Sequence, residues 1–438
     1  MGILYRKEGL KKENDKGAMA IIIALCLLFL LGFAALAVDL SHMYVARNEL
    51  QNAADAGALA GSRVLYTNEG SAVNTAANQV AFDAASDNLS ENVPVDINWT
   101  AGNDGDIQRG HWSFGLGTLE KGFYPNASTE PVDLWNATTV ELDQNINFIN
   151  AVKVTVRRQT TQVASFFATV FGHSGFEMAA DGVGYIGFAG SIEPLAVDQP
   201  IAICAQSIRD PITGAYTCNI GRMLNSGVNP ASQNSAGWTD FNQDNPCSGG
   251  TNANVLKTLI PDDCSGDLDG ANPDAIIFGQ DIATTGGVDQ SVFQKLYNCW
   301  LTRTEQTRIW NLTLPVIDCP GNNVTICEEV RGAVNLNVVW IQEKTDPHCN
   351  DAPSIMYSAD GLTLLWEAQK NADGTYVSGQ TRWDSFVTFF NLQNVDGTPA
   401  PFDQKSIYFL PDCTPHEPTG LSGGENFGIL AEIPVLVE

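Results

Sequence analysis

At 438 residues, 44 % of them apolar, the chain is long enough for two or three folded units with filled cores, which excludes a wholly disordered protein. Its formal charge of −27 excludes nucleic acid as a partner for most of its surface. That charge is uneven: residues 1–17 hold Arg6, Lys7, Lys11, Lys12 and Lys16 against Glu8, Glu13 and Asp15, a net of +2, which leaves −29 for the rest.

From Ala18 to Val38 runs AMAIIIALCLLFLLGFAALAV, 21 residues without a charge. As a helix this is roughly 31 Å long, the thickness of a bilayer core. The basic segment before it places residues 1–17 in the cytoplasm and the remainder outside. A cleaved signal peptide is the alternative, with Ala35-Leu36-Ala37 as an A-x-A-like site. Signal h-regions run about 7–15 residues, however, and here the helical pattern continues past that site. A retained single-pass anchor is expected.

Beyond Asp39, the residues Leu40, Met43, Tyr44, Leu50, Ala54 and Ala58 keep near-helical spacing. Span and stalk together predict one helix of about 44 residues, roughly 66 Å long. Ala53, Gly57 and Gly61 fall four apart, so one face carries only small side chains. Such a face admits a second helix, which makes oligomerisation one reading, and packing on the chain's own domain is the other. A second helical pattern comes next at Val73, Ala76, Ala77, Val80 and Ala84, with Ser71 as its cap.

From about residue 92 the texture is β-like. In AVKVTVRR, Val152, Val154 and Val156 alternate with Lys153, Thr155 and Arg157, predicting a strand with one buried and one wet face. Val163, Phe166, Phe167, Val170 and Phe171 form a helical stripe that ends at Gly172. GVGYIGFA then reads as a strand closing this unit near residue 189. Later, Val288, Val292, Leu296 and Trp300 fit a helix face. Strands are expected at WNLTLPVI, at Val334 to Trp340, at RWDSFVTFF and at the terminal ILAEIPVLVE, with Asp373-Gly374 and Asp396-Gly397 as turns.

Cys26 lies inside the apolar span. The other nine cysteines (Cys204, Cys218, Cys247, Cys264, Cys299, Cys319, Cys327, Cys349 and Cys413) all lie beyond residue 200. In an exported region they predict up to four disulfides and one thiol left over. No C-x₂₋₄-C pair exists to suggest zinc. A local Cys319–Cys327 bridge around CPGNNVTIC is expected.

No catalytic, cofactor-binding or metal-binding residues are assigned, and no cofactor is expected. His42, His111, His173, His348 and His416 form no H-E-x-x-H. GLSGG at Gly420 to Gly424 matches a nucleophile elbow literally, but no histidine comes after Ser422 to complete the Ser, acid, His order. In DDCSGDLDGANPD, Asp267, Asp269, Asp274 and Asn272 could offer oxygens to calcium, yet the Glu that closes an EF-hand is missing. The loop Asp240 to Asp244 lacks both the Gly and the Glu of that motif. These loops, and six N-x-S/T sequons, are read as solvated surface.

The segment GAMAIIIALCLLFLLGFAALAVDLSHMYVARNELQNAADAGALAGS resembles the N-terminal signature of TadE/G-like Flp pilus-assembly proteins. Val38, Asp39, Leu50, Gln51, Ala53, Ala54, Asp55, Ala58, Leu59 and Ala60 carry the match. IQRGHWSF, NAVKVTVRR and SFFATVFG resemble the next segment of that family's members, to about residue 185. The resemblance implies a single-pass protein of a Tad secretion and pilus machine, not an enzyme. Its partners would be other Tad membrane proteins or pilin. Two departures narrow it. Pseudopilins carry a Glu five residues after the cleavage-site Gly, whereas here Ile22 stands five residues after Gly17, which favours the TadG-like branch. No D-x-S-x-S metal-adhesion motif occurs either.

The expected fold is α+β: a single transmembrane helix continuing into an Ala-rich helical stalk, then a β-rich extracytoplasmic region with a few short helices and disulfides. Its parts are a cytoplasmic basic segment (1–17), a transmembrane helix (18–38), a stalk (39–90), a β-rich Tad-like domain (91–190) and a Cys-containing β-rich domain (191–438). Gln51, Asn52 and Asp55 are expected to offer polar handles for a neighbouring helix. The expected role is a membrane-anchored accessory or structural component of Tad (Flp) pilus assembly. A pilus-associated adhesin or minor pseudopilin is the first alternative, and an exported metal-dependent hydrolase the second.

Overall fold

The computed structural model describes residues 16–66, 72–130, 132–210, 212–225, 236–249, 251–260, 264, 271–286, 290–319, 324–394, 396–414 and 419–438. Helix α1 (Lys16–Arg63) runs 48 residues without a break, about 72 Å at the α-helical rise. It is the one helix among the described residues long and apolar enough to cross a membrane. Its character changes along its length. From Met19 to Leu36 the large apolar side chains are exposed, whereas Ala46, Leu50, Ala53, Ala54 and Ala58 are fully buried. The expected span-plus-stalk is thus one helix, but its outer half is a core element rather than a free stalk. Helix α2 (Ala77–Ser86) packs beside it; Ser71, its expected cap, lies outside the described residues, and Ala76 precedes the helix without a side-chain cap.

Both helices cover one face of an antiparallel sheet. Its strands are β1 (Ile107–Ser113), β2 (Gly122–Pro125), β3 (Ala151–Ala164), β4 (Gly175–Tyr185) and β13 (Val435–Leu436), in the order β13-β4-β3-β1-β2. As the alternation predicts, Val152, Val154 and Val156 of β3 point into the helices, and Lys153, Thr155 and Arg157 face outward. Trp112, Ala151 and Val183 cover the opposite face with Tyr185 and Val437. Of the terminal apolar run, only Val435–Leu436 forms a strand, and it pairs with Gly184 and Tyr185 of β4.

Between β4 and β13 lies a second sheet of eight strands: β5 (Ile201–Cys204), β6 (Gly221–Asn225), β7 (Ala236–Thr239), β8 (Asp281–Thr285), β9 (Trp310–Ile317), β10 (Cys327–Gln342), β11 (Leu392–Gln393) and β12 (Ser406–Pro411). The order is β8-β7-β5-β9-β10-β12-β6-β11, and β8 also pairs with the first residues of β10. Five strands thereby close into a ring, which leaves those edges without open hydrogen-bonding groups. The long β10 belongs both to the ring and, through β12, to the open extension. Helices α3 (Gln290–Thr304) and α4 (Gln380–Phe389) pack on this sheet, Trp300 edge-on to Trp340 and Trp383 edge-on to Tyr408. Helix α3 confirms the face of Val292, Leu296 and Trp300; Val288 lies outside the described residues.

Three expectations are corrected. RWDSFVTFF is the helix α4, because Trp383, Phe386, Val387 and Phe390 recur at helical spacing and bury one side. The stripe from Val163 to Phe171 is not one helix: Val163 pairs with Phe176 in the β3–β4 ladder, and only Ala168–Phe171 forms a 3₁₀ turn. Gly172 ends that turn at φ 91°, where glycine is favoured. Finally, Cys319 and Cys327 do not pair with each other. They bond to Cys204 and Cys247, with Cα separations of 5.5 and 5.1 Å, beside Cys218–Cys413 and Cys264–Cys299. The reason is register: Ile317 runs alongside Cys204 of β5, whereas Cys327 lies opposite Ala283 of β8, so the two ends of CPGNNVTIC face different strands. Cys349 remains as the leftover thiol, buried.

Non-reducing peptide mapping should recover Cys204–Cys319 and Cys247–Cys327 and no Cys319–Cys327 peptide. Replacing Cys204 and Cys319 together by Ala should lower stability by about 2–4 kcal/mol, read as a shift in the urea midpoint.

Candidate functional site at the base of the long helix

The residues where α1 passes from exposed apolar surface into the folded core gather the chain's most distinctive geometry. The helix reaches the sheet closely because β4 offers glycine beneath it. A Cβ at Gly182 would lie 2.8 Å from the Asp55 carboxylate, and one at Gly184 would lie 2.5 Å from the Ala58 carbonyl oxygen. On the other side Gly57 and Gly61 admit α2: a Cβ on either would stand 2.8 Å from Ala81. The small-residue face is therefore filled by the chain's own second helix, the second of the two readings of that face. Ser62 donates its hydroxyl to the Gly184 carbonyl at 2.8 Å, fixing the helix along the strand.

The polar residues of the same helix are spent inward as well. Gln51 donates its amide to the Asp181 carbonyl at 2.7 Å and to the Asp55 carboxylate at 2.8 Å. Of the three expected handles only Asn52 stays exposed, so Gln51 and Asp55 serve the intramolecular seat rather than a neighbouring helix.

At the end of the apolar span, Asp39 is only 4 % exposed. Its carboxylate accepts the Ser165 hydroxyl at 2.8 Å and the backbone N–H groups of Phe166 at 2.9 Å, Phe167 at 3.1 Å and Ala168 at 2.8 Å. These four residues form the tip of the β3–β4 hairpin. Loss of water around the carboxyl works to raise its pKa. The hydrogen bonds from Ala168, Ser165, Phe166 and Phe167 outweigh that and hold it below the ordinary carboxylate value. Asp39 is the clamp that ties the hairpin tip to the helix. The sequence signal for it was Ser165, which also accepts the Ala168 N–H at 2.8 Å in a local Ser turn.

A second contact lies one turn further along. His42 directs Nδ1 to the Ala164 carbonyl at 3.0 Å and Nε2 to the Glu91 carboxylate, and its ring lies 5.0 Å from that of Phe166. Glu91 and Asn92 form a tight turn with φ 55° and 62°, the type I′ geometry of two-residue hairpins. Glu91 also lies 3.6 Å from Arg158, and its backbone N–H donates to Glu49 of α1 at 2.7 Å. Helix, turn and hairpin tip are thus bound together at one end of the sheet.

Comparison with known families places this same region. The Flp pilus-assembly TadE/G-like model matches residues 17–85, and the Tad-like Flp pilus-assembly model matches residues 60–183. The N-terminal region is thus similar to Tad-type Flp pilus-assembly proteins over residues 17–183. No curated protein and no solved structure matches the chain. The Tad region includes α1, α2, β1 to β3 and all but the end of β4, so Leu50, Gln51, Ala53, Ala54, Asp55 and Ala58 of its signature are among the residues that seat α1 on the sheet.

The remaining residues considered for chemistry are spread apart. Outside the Tad region, Ser422 bonds the Ile433 carbonyl at 3.1 Å in a loop. Within it, His111 is buried with its two nitrogens on the Phe148 and Asp143 carbonyls, at 2.8 and 2.7 Å, and His173 stacks on Phe176. His348 is exposed, and His416 lies outside the described residues. So do Asp267 and Asp269 of the candidate calcium loop. Asn272 is consumed by the Val197 N–H at 2.8 Å and by the carbonyls of Glu193 and Asp274. In the other acidic loop, Asp240 and Asn242 accept backbone N–H groups two residues on. Cys247, Asp281 and Cys327 meet closely, but the two sulfurs are bonded to each other.

The seat and the clamp can be tested separately. Gly184→Val should force α1 off β4 and cost about 3 kcal/mol, measured as a lowered urea midpoint of the detergent-solubilised chain. Asp39→Asn should speed amide exchange of Phe166 to Ala168 on the order of tenfold or more, with little change in β3. Because the native carboxyl titrates below its unfolded value, the clamp is at full strength above about pH 4. It should open as pH falls through the lowered native pKa, and exchange at the tip should rise over that acid range only.

Proposed function

We propose that the chain is a single-pass membrane-anchored structural component of Tad (Flp) pilus assembly, acting through protein–protein contacts. The observation that carries this reading is the double character of α1. Met19 to Leu36 expose the apolar surface that lipid requires, and the same helix supplies Leu50, Ala53, Ala54 and Ala58 to the core of the Tad region. A helix shared in this way couples an external scaffold to the membrane without a flexible linker.

The basic residues of 1–17 orient the N-terminus to the cytoplasm and the β-rich bulk outside the cytoplasmic membrane. Four disulfides support an oxidising compartment for that bulk. The partners are other Tad membrane proteins or pilin. With the small-residue face of α1 filled by α2, that face is not open to them. The role is assembly rather than catalysis. Ile22, standing where pseudopilins carry Glu, supports retention in the membrane over processing into a fibre subunit.

Deletion of residues 1–38 should abolish piliation while leaving a soluble, folded remainder, because the buried part of α1 begins after the cut. Electron microscopy of cells and size-exclusion chromatography of the remainder check the two halves of this prediction. Normal piliation from the truncated chain would contradict the anchor role. A mature N-terminus just after Gly17 in mass spectrometry would favour the pseudopilin reading instead.

A further inference from the structure

The hairpin tip held by Asp39 presents two phenylalanines to the outside. Phe166 is 61 % exposed and Phe167 43 %, although the residues on either side, Ser165 and Ala168, are tied to Asp39 by hydrogen bonds. A pair of large apolar side chains, exposed side by side on a segment whose backbone is clamped, is costly in water. Their position says what covers them. Asp39 comes directly after Val38, the last residue of the uncharged run, a rise of about 1.5 Å along the axis. The clamp therefore fixes the tip at the level where α1 leaves the hydrocarbon. From the same turn and the next, Leu40 and Tyr44 project exposed from α1, continuing the apolar surface of the span.

We infer that Phe166 and Phe167 insert into the outer leaflet and form a second membrane contact beside α1. This rests on the reading of α1 as a membrane span. The occupant is the acyl and headgroup boundary of the bilayer, reached by apolar insertion. Charge does not draw the tip there, because the folded part carries the chain's negative excess and gains nothing from an anionic surface. Aromatic and aliphatic side chains at that depth bury their surface while the backbone stays near water. The mechanical consequence is specific. A lone helix leaves its domain free to rotate about the membrane normal and to tilt. A second contact set to one side of the axis restricts tilt and fixes which face of the β-rich region points along the membrane. The Asp39 clamp is then a positioning device that sets insertion depth.

The test uses the full chain with Cys26→Ser and Cys349→Ser, reconstituted into vesicles of neutral phospholipid with no other protein. A nitroxide is placed singly through Phe166→Cys, with Phe167→Cys as a second reporter of the same tip. Phe29→Cys serves as a reporter inside the span. Leu362→Cys, at a site 84 % exposed in the outer region, serves as an aqueous reporter. Collision with oxygen is compared with collision with a water-soluble nickel chelate. The inference expects the tip labels to favour oxygen several-fold over the Leu362 label, at a depth shallower than Phe29. Introducing Asp39→Asn should reduce that preference without moving the Phe29 label. Tip labels as aqueous as Leu362, with Phe29 in lipid, would overturn the inference and leave the anchor intact; a tip reserved for a protein partner would give that result. Phe29 itself reading as aqueous would overturn the membrane reading and this inference with it.

Discussion

The close approach of α1 to β4 is the contact on which the rest of the molecule depends. Two helix turns lie where Gly182 and Gly184 leave no side chain, and the hydroxyl of Ser62 bonds into the gap. Side chains on β4 would lift the helix away from Val152, Val154 and Val156, and the core of the Tad region would lose its lid. The same tight geometry is repeated on the flank, where Gly57 and Gly61 let α2 in. Dispersion contacts at this spacing are individually small, and they accumulate only because the helix is stiff and its partners are preorganised.

Because the seated helix is also the helix that leaves the core as a bare apolar rod, the folded core and the candidate membrane span share one element. The base of the sheet reflects this. Asp39, His42 and Glu49 of α1 engage the β3–β4 tip and the turn at Glu91. Their bonds hold the loops at the end of the apolar span close to the helix. The result is a junction in which the apolar part of α1 is tied directly to the folded sheet.

The eight-stranded sheet enters between β4 and β13 of the first sheet, so it is tied to that sheet at both ends of its sequence. Two further devices secure it. Glu425 bonds both Arg209 and Arg331, which draws the C-terminal segment onto β10 and the region after β5. The arginines hold its carboxyl below the ordinary value even though partial burial opposes this. The disulfides then connect elements far apart in sequence, Cys218 to Cys413 across 195 residues, so they restrict the unfolded chain strongly. In the described parts of the acidic and Asn-rich loops that suggested metal chemistry, the polar side chains are instead taken up by hydrogen bonds to backbone groups.

The sequence by itself determined whatever depends on one local period. The length of the uncharged run and its basic flank predicted a membrane helix, the unbroken spacing after Asp39 carried that helix onward, and the alternation in AVKVTVRR specified a strand with its buried face. The cysteine count left one thiol over, and the signature around Leu50 to Ala60 led to the Tad family. What only the tertiary structure decided concerns partners distant along the chain. Cys319 and Cys327 are close in sequence yet face different strands, so no local spacing reveals their bonds. The small-residue face of α1 fits any close helix, and only the fold shows that α2 occupies it. Phe166 and Phe167 share a periodic stripe with Val163, but the hairpin register turns Val163 inward and leaves the two rings outside, because a ladder hydrogen-bonded at Val163 cannot also be a helix. Side-chain pattern encodes which face of an element is apolar; the element's neighbours decide what that face meets.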